Sequence, residues 1–462
     1  MLAVGADNFL GIPLPSQHRI VIVGAGPCGL ACGRELARLR HRDWRILERS
    51  DHAGGLASSV VDREGFTWDL GGHVVFSHYG EFEELLAEAM GDDVCQHDRS
   101  SYVRFDDRWI PYPFQNNLRH LPDEVAAECL RGLSVAPGGD AGMDFATWMR
   151  RVFGTGITRH FMAPYNFKVW ATPATEMASH WIAERVSVVD YERALRNLRN
   201  GLDDVAWGPN NNFVFPAFGG TGEIYRRVAA GLCERVHYGR AVVEIDAEAR
   251  RLRLADGDEQ RYDALVSTIP LDVLVASLRE CPSAIRSAAA KLRHNGVYMV
   301  GVGYELALTD QKSWMYFPQD HAPFYRATNF AKYAATNVPE GDTSCFCAYM
   351  TETAYSADKP EPRAGIEDRV EAGLRASGVV AGRPTVASVH VEDIEYAYPV
   401  PTLERDGALA VLQPWLMERA IYSRGRFGSW RYEIGNMDHA VKMGIDIARH
   451  IVTGAEEEIW PT

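Results

Sequence analysis

An α/β fold, with a discontinuous Rossmann-like domain, an inserted helical domain and an antiparallel β-sheet domain, is predicted by three observations. The apolar run Arg19-Ile20-Val21-Ile22-Val23 leads directly into Gly24-Ala25-Gly26-Pro27-Cys28-Gly29 and a helix. Residues from Glu81 to Val205 carry aromatic and charged side chains at helical spacing, as in Phe145, Trp148, Met149, Val152 and Phe153. The stretches from Val297 to Tyr304 and from Cys345 to Met350 read instead as strands separated by polar turns.

The first element is a dinucleotide-binding fingerprint. Gly24 makes the tight turn, Gly26 lets the backbone meet a pyrophosphate, and Gly29 permits close packing of strand and helix, with phosphates on the helix N-terminus. A second strand, Trp44-Arg45-Ile46-Leu47, ends in Glu48, where an acidic side chain takes ribose hydroxyls. Gly54-Gly55 then follow, as in the extended fingerprint of FAD-binding proteins, so FAD is the expected dinucleotide. Ala264-Leu265-Val266-Ser267 supplies a further strand, and a helix from Asp438 to Ile451 follows Gly435-Asn436, its N-terminus suited to the polar edge of a flavin. The expected division is therefore 1–85, 215–290 and 420–462 for the FAD-binding domain, 86–214 for the helical domain and 291–419 for the sheet domain.

Gly71-Gly72-His73-Val74-Val75-Phe76-Ser77-His78 lies just downstream of the fingerprint. Paired glycines let backbone approach a flat ligand, and the imidazole that follows comes within its reach. Alone, the octapeptide reads equally well as a tight turn before a buried strand.

Composition narrows the function. A net charge of -14 argues against binding of nucleic acid, which needs a basic face. The eight cysteines match neither a zinc ligand set nor a disulfide framework, and no metal is expected; Cys345 and Cys347 would share one face of a strand. The sequence starts without a basic leader and holds no apolar run of membrane length, so a cytoplasmic protein without a membrane partner is expected.

Three clusters set aromatics beside amides or cations: Trp109 to Asn117, Pro164 to Trp170, and Trp207-Gly208-Pro209-Asn210. Rings sandwich the faces of a heterocyclic base while an amide reads its edge. Each cluster singly would fit a packed helix end or turn. Arg185, Arg326, Arg424 and Arg426 could be solvated surface residues, but Arg beside Tyr in glycine-containing loops favours recognition of an anion such as a diphosphate. Together these point to a nucleotide-sugar substrate.

The chain resembles the UDP-galactopyranose mutases of the eukaryotic type from about His18 to Val452, through GGHVVFSH, YPFQNN, PYNFKVWA, WGPN, FPAFGGTG, FYRAT, YPVPTLER and SRGRFGSWRYEIGN in the family's order. The resemblance implies an isomerase that interconverts pyranose and furanose forms of a UDP-sugar through an adduct on N5 of reduced FAD, with no net redox change. NAD(P)H, or dithionite in vitro, would supply the reduced flavin. His73 would contact the flavin near N5 through its backbone, with Gly71, Gly72 and Asn436 beside the cofactor and His78 in support. Tyr112, Phe114, Gln115, Phe161, Asn166 and Trp170 would form the uridine pocket, and Arg326, Tyr316, Tyr398 and Tyr432 would bind the diphosphate. Arg185, Asn210, Trp314, Arg426 and Asn436 would surround the sugar, and Trp207 to Phe213 would close over it.

Phe218 stands where the family has Arg, Glu223 where it has Gly and Met437 where it has Gln, and the segment between Phe330 and Cys345 is short. The first change predicts altered flavin reduction or affinity. Three readings stay open: the mutase, acting on a UDP-sugar or another nucleotide sugar; an FAD-dependent oxidoreductase of the amine oxidase or desaturase sort; and a binding protein without turnover. A homo-oligomer is compatible with each.

Overall fold

The computed structural model describes residues 18–139, 142–182, 185–208 and 211–460. Its first layer is a parallel sheet of five strands in the order Ile421–Ser423, Ala264–Ser267, Ile20–Val23, Trp44–Leu47 and Val236–His237. Ile20–Val23 is buried along its whole length, as an all-apolar strand covered on both faces must be. Helix Pro27–Arg38 follows and packs along the final helix, Met437–Thr453. At the turn between strand and helix, a Cβ on Gly29 would lie 2.0 Å from Gly24 O, so only glycine fits.

The second layer is a sheet of seven strands in the order Val386–Pro399, His294–Glu305, Phe346–Tyr355, Arg326–Asn329, Trp314–Tyr316, Ser101–Phe105 and Arg108–Pro111. Its pairs are antiparallel except Trp314–Tyr316 with Ser101–Phe105, which is parallel. Cys345 lies exposed just before its strand while Cys347 is buried in it, so the two do not share a strand face as expected.

The stretch expected to be helical holds helices Asp123–Ser134, Phe145–Ile157, Ala163–Trp170 and Tyr191–Asn200. It also supplies strands: Val94–Asp98 pairs with Asn212–Pro216, and the hairpin of Ser101–Phe105 and Arg108–Pro111 completes the seven-stranded sheet. That hairpin turns through Asp106 at φ 48°, a left-handed position that Asp tolerates. Helix Phe145–Ile157 breaks at Gly154 and runs through a π-helical turn, Thr158–Met162, into Ala163–Trp170. This irregular turn aims the Pro164 to Trp170 cluster at the sheet. Among the described residues no helix is long and apolar enough to cross a membrane.

Candidate active site

Between the two sheets lies a cavity of about 920 Å³. It is lined by Gly24, Gly26, Glu48, Gly55, Thr268 and Gly425 from the fingerprint side, and by Gly71, Gly72, His73, Arg326, Arg426 and Asn436 farther in. Its aromatic wall is Tyr112, Tyr165, Trp170, Tyr316, Tyr398 and Tyr432.

The fingerprint side fits FAD. Glu48 accepts Ala25 N–H at 2.7 Å and Ser50 N–H at 2.9 Å, which fixes its carboxylate where a ribose would meet it. Helices Pro27–Arg38 and Met437–Thr453 begin without side-chain caps, and Gly26, Pro27, Asn436 and Met437 at those ends line the cavity. Their first-turn N–H groups are thereby left for a ligand's phosphate and polar ring edge. Gly29 and Gly54 shape this cradle from behind: Gly54, at φ 114°, donates its N–H to Ala25 O at 2.9 Å.

The two glycines of the octapeptide serve packing as well as clearance. Gly72 donates its N–H to Glu352 Oε1 at 2.8 Å, and a Cβ there would fall 2.5 Å from Thr328 Oγ1. His73 donates its N–H to Gly71 O at 2.8 Å, closing a tight turn over the glycine pair. Burial pushes the His73 imidazole down to about 4, so it is neutral at pH 7. Asp69 Oδ2, 4.0 Å from His73 Nδ1, belongs to a carboxyl that burial raises to about 7 and that Ser59 and Thr221 hold by hydrogen bonds.

His78 Nδ1 meets Asp438 Oδ2 at 2.8 Å, and Asp438 Oδ1 meets His439 Nδ1 at 2.9 Å. Burial works against the Asp438 charge, but the hydrogen bonds from the two histidines outweigh it and hold the carboxyl at about 2. The three groups are close enough together to suit a metal ion, yet both Nδ1 atoms are engaged by the one carboxylate. They act as a hydrogen-bonded unit at the cavity edge.

Of the six arginines that line the cavity among the described residues, Arg185, Arg326 and Arg426 are the three expected at the substrate. Arg326 is bound by Glu352, through Nε at 2.9 Å and Nη2 at 2.6 and 2.8 Å. Burial opposes both charges, and their mutual attraction wins, holding the carboxyl low and the guanidinium high. Arg185 donates to Asn436 Oδ1 at 2.9 Å and Glu433 O at 2.7 Å, with its guanidinium 5.1 Å from the centre of the Tyr432 ring. Arg426 donates to Gly435 O at 2.8 Å and Ala397 O at 3.0 Å, and lies 5.0 Å from the Tyr398 ring. Among the described residues neither Arg185 nor Arg426 has a carboxylate partner, so their charge is available to an anionic ligand.

The aromatic wall consists of two groups of rings in contact. Tyr112 and Tyr316 have ring centres 4.8 Å apart, Trp170 and Tyr432 are also 4.8 Å apart, and Tyr398 stands 5.8 Å from Tyr432. Trp207 closes on Tyr112 at 6.2 Å.

The structure sets five expected pocket residues behind this wall. Phe114 stacks on Phe161 at 4.8 Å, and Phe161 on Tyr165 at 5.2 Å, so the two phenylalanines support Tyr165 from the core. Gln115 donates to Ser187 O at 2.5 Å, Asn166 to Met162 O at 2.7 Å, and Trp314 Nε1 to Tyr316 OH at 2.5 Å. Apolar burial explains the phenylalanines, and the amides are drawn to backbone carbonyls by the need to satisfy buried donors. Asn210 lies outside the described residues, as does part of the segment expected to close over the sugar. Phe218 is 39% exposed outside the cavity lining, with the Arg227 guanidinium 5.1 Å from its ring, while Glu223 pairs with that same Arg227 at 2.6 Å. Met437 does line the cavity.

Glu352 and Asp438 were not expected at the site, and Tyr165 was expected only as a member of the Pro164 to Trp170 cluster. Glu352 was readable: an acid in the apolar strand Cys347-Ala348-Tyr349-Met350-Thr351-Glu352 has to be paired if buried, and Arg326 was the cation in search of a partner.

The family model for flavin containing amine oxidoreductases matches residues 27–452. The crystal structure of reduced UDP-galactopyranose mutase has a TM-score of 0.92 to this chain at 38% identity, covering 96% of this chain and 95% of that one. The CLA-producing fatty acid isomerase from P. acnes, at 15% identity and TM-score 0.65 over 95% of this chain and 99% of that one, shares the fold. Among curated relatives, the 15-cis-phytoene desaturase of Synechococcus elongatus is 32% identical over 106 residues, 21% of this chain and 22% of the desaturase. The chain thus matches about a fifth of that relative's length. It belongs to the flavin containing amine oxidoreductase family and, within it, to the FAD-dependent UDP-galactopyranose mutases.

Proposed function

We propose that the protein interconverts the pyranose and furanose forms of a UDP-sugar of the UDP-galactose type, with FAD held reduced and no net redox change. The observation that carries this reading is the pair Arg185 and Arg426, two cations without carboxylate partners among the described residues, set against tyrosines in the flavin cavity. Such a pair suits a diphosphate, and an amine or a polyene would gain nothing from it.

Bound reduced FAD supplies a nucleophilic ring nitrogen for the anomeric carbon. The chain's own residues supply binding and orientation. Tyr112, Tyr165 and Trp170 offer faces to the base, while Tyr316, Tyr398 and Tyr432 present hydroxyls to the diphosphate alongside Arg326. Arg185 and Arg426 stabilise the charge that builds on the departing diphosphate, with strength enhanced by the aromatic, water-poor wall. Gly71 and Gly72 give clearance beneath the cofactor, and His73, neutral in its buried position, orients its carbonyl there without carrying charge. The cysteines are free thiols, which suits a reducing cytoplasm.

The test is to incubate dithionite-reduced protein with UDP-galactopyranose, other UDP-sugars, GDP-sugars and dTDP-sugars, and to resolve products by chromatography and NMR. A furanose product from UDP-galactopyranose is expected. Absence of ring contraction with every donor would overturn the reading.

A further inference from the structure

We propose that the segment 454–460, which folds back after the last helix, is a clamp for the flavin: Glu457 and Trp460 position Arg424, and through it the cavity-lining turn at Gly425 and Arg426. Arg424 and Arg426 alternate in the sequence and were both candidates for phosphate. The structure separates them. Arg426 enters the cavity, whereas Arg424 is wholly buried on the other side, with Nε and Nη2 bound to the Glu457 carboxylate at 2.7 and 2.6 Å. Trp460 covers the same guanidinium at 3.5 Å from its ring centre. A buried cation so enclosed depends on its carboxylate, because removal of that partner leaves the charge uncompensated.

Beyond Arg424, the segment braces the cofactor site from outside at two places, and a close approach of Gly425 joins them. Ile459 and Trp460 pack on Cys28, Ala440 and Met443, and Cys28 belongs to the first turn of the phosphate-binding helix. Gly425, next to Arg424, approaches that turn so closely that a Cβ would sit 3.1 Å from Cys28 Cβ. Glu458 donates its N–H to Asp446 Oδ2 at 3.0 Å and pairs with the buried Lys442 Nζ at 2.9 Å, which ties the segment to the final helix. Cys28, Gly425 and Ala440 all line the cavity, while Glu457, Glu458, Ile459 and Trp460 stand behind them. The clamp therefore touches no substrate or cofactor. It holds together the three chain segments that do.

The experiment reads flavin release from the holoprotein, as the rise of flavin fluorescence on dilution, beside unfolding followed by far-UV circular dichroism. No substrate is involved, so the result stands apart from the mutase reading. Trp460→Ala and Glu457→Gln are expected to release flavin about tenfold faster than the parent, the scale set by a desolvated cation–π contact. Trp460→Phe should restore slow release, and Val61→Ala, an exposed site remote from the clamp, should behave as the parent. On heating, flavin should leave Trp460→Ala before the backbone unfolds. Trp460 is partly exposed, so this variant keeps the test open if Glu457→Gln does not fold. Parental release rates in Trp460→Ala, or release that shifts only in step with unfolding, would overturn the proposal.

Discussion

Glu352 binds Arg326 with both carboxylate oxygens and, through Oε1, also takes the Gly72 N–H at 2.8 Å. One buried acid thus links Arg326 to the glycine pair Gly71-Gly72 within the cavity lining. It sits in the strand Phe346–Tyr355, directly across from Arg326 in the register of the sheet.

Replacing this acid tests the link. Glu352→Gln keeps the shape but leaves the half-buried Arg326 without a counter-charge, a loss in unfolding free energy at or below the about 3–5 kcal/mol that breaking a fully buried pair costs. Urea unfolding measures that loss, and turnover should fall with it because Arg326 loses the carboxylate that holds it in the cavity. A stability equal to the parent's would show that the pair is not what sets the Arg326 position.

Arg326 itself should report on the nucleotide. Its Nε and Nη2 already serve Glu352, so the ligand can gain only from the remaining edge and from net charge. Arg326→Ala is expected to weaken binding of UDP by roughly tenfold to a hundredfold, the value of one charge-assisted hydrogen bond. Isothermal titration of the holoprotein checks this, and unchanged affinity would remove Arg326 from the diphosphate site.

The fingerprint and its acid were legible because their chemistry is local: Gly24, Gly26, Gly29 and Glu48 act within one strand, turn and helix. The aromatic clusters were legible as groups and not as individual contacts. Tyr112 and Phe114 are two apart in sequence, yet one lines the cavity and the other is buried behind it, because the chain reverses into a short helical turn at Phe114–Asn116. The hairpin at Asp106 was hidden since its turn carries Asp-Asp rather than a glycine. Glu352 with Arg326 and Asp438 with His78 are pairings across long stretches of chain, which spacing alone does not reveal.

Phe218 departs from the family's arginine without touching the cavity, so restoring the cation should leave the chemistry alone. Phe218→Arg would face Arg227, which now lies over the phenyl ring, and the like charges at that half-exposed site should cost about 1 kcal/mol. Turnover and flavin affinity should stay within about twofold of the parent, a margin of about 0.4 kcal/mol. A large change in flavin reduction rate would show that position 218 acts on the cofactor across the Arg227 and Glu223 pair.

Asp438 gives the protein an acid-sensitive contribution whose sign follows from its depressed carboxyl. The group titrates at about 2 when folded, against about 3.9 for an unfolded aspartate. Folding is therefore favoured by the charged carboxylate at every pH above about 4, and that contribution, about 2 kcal/mol, fades as pH falls toward 2. Asp438→Asn removes the charge that His78 and His439 share, so it should be less stable than the parent at neutral pH. The difference between the two should shrink steadily below about pH 4, because the parent's carboxyl is then becoming neutral as well. Urea unfolding of both proteins across that range checks the trend. A gap that stays constant from neutral to acid pH would mean that the histidines hold Asp438 by shape and not by its charge.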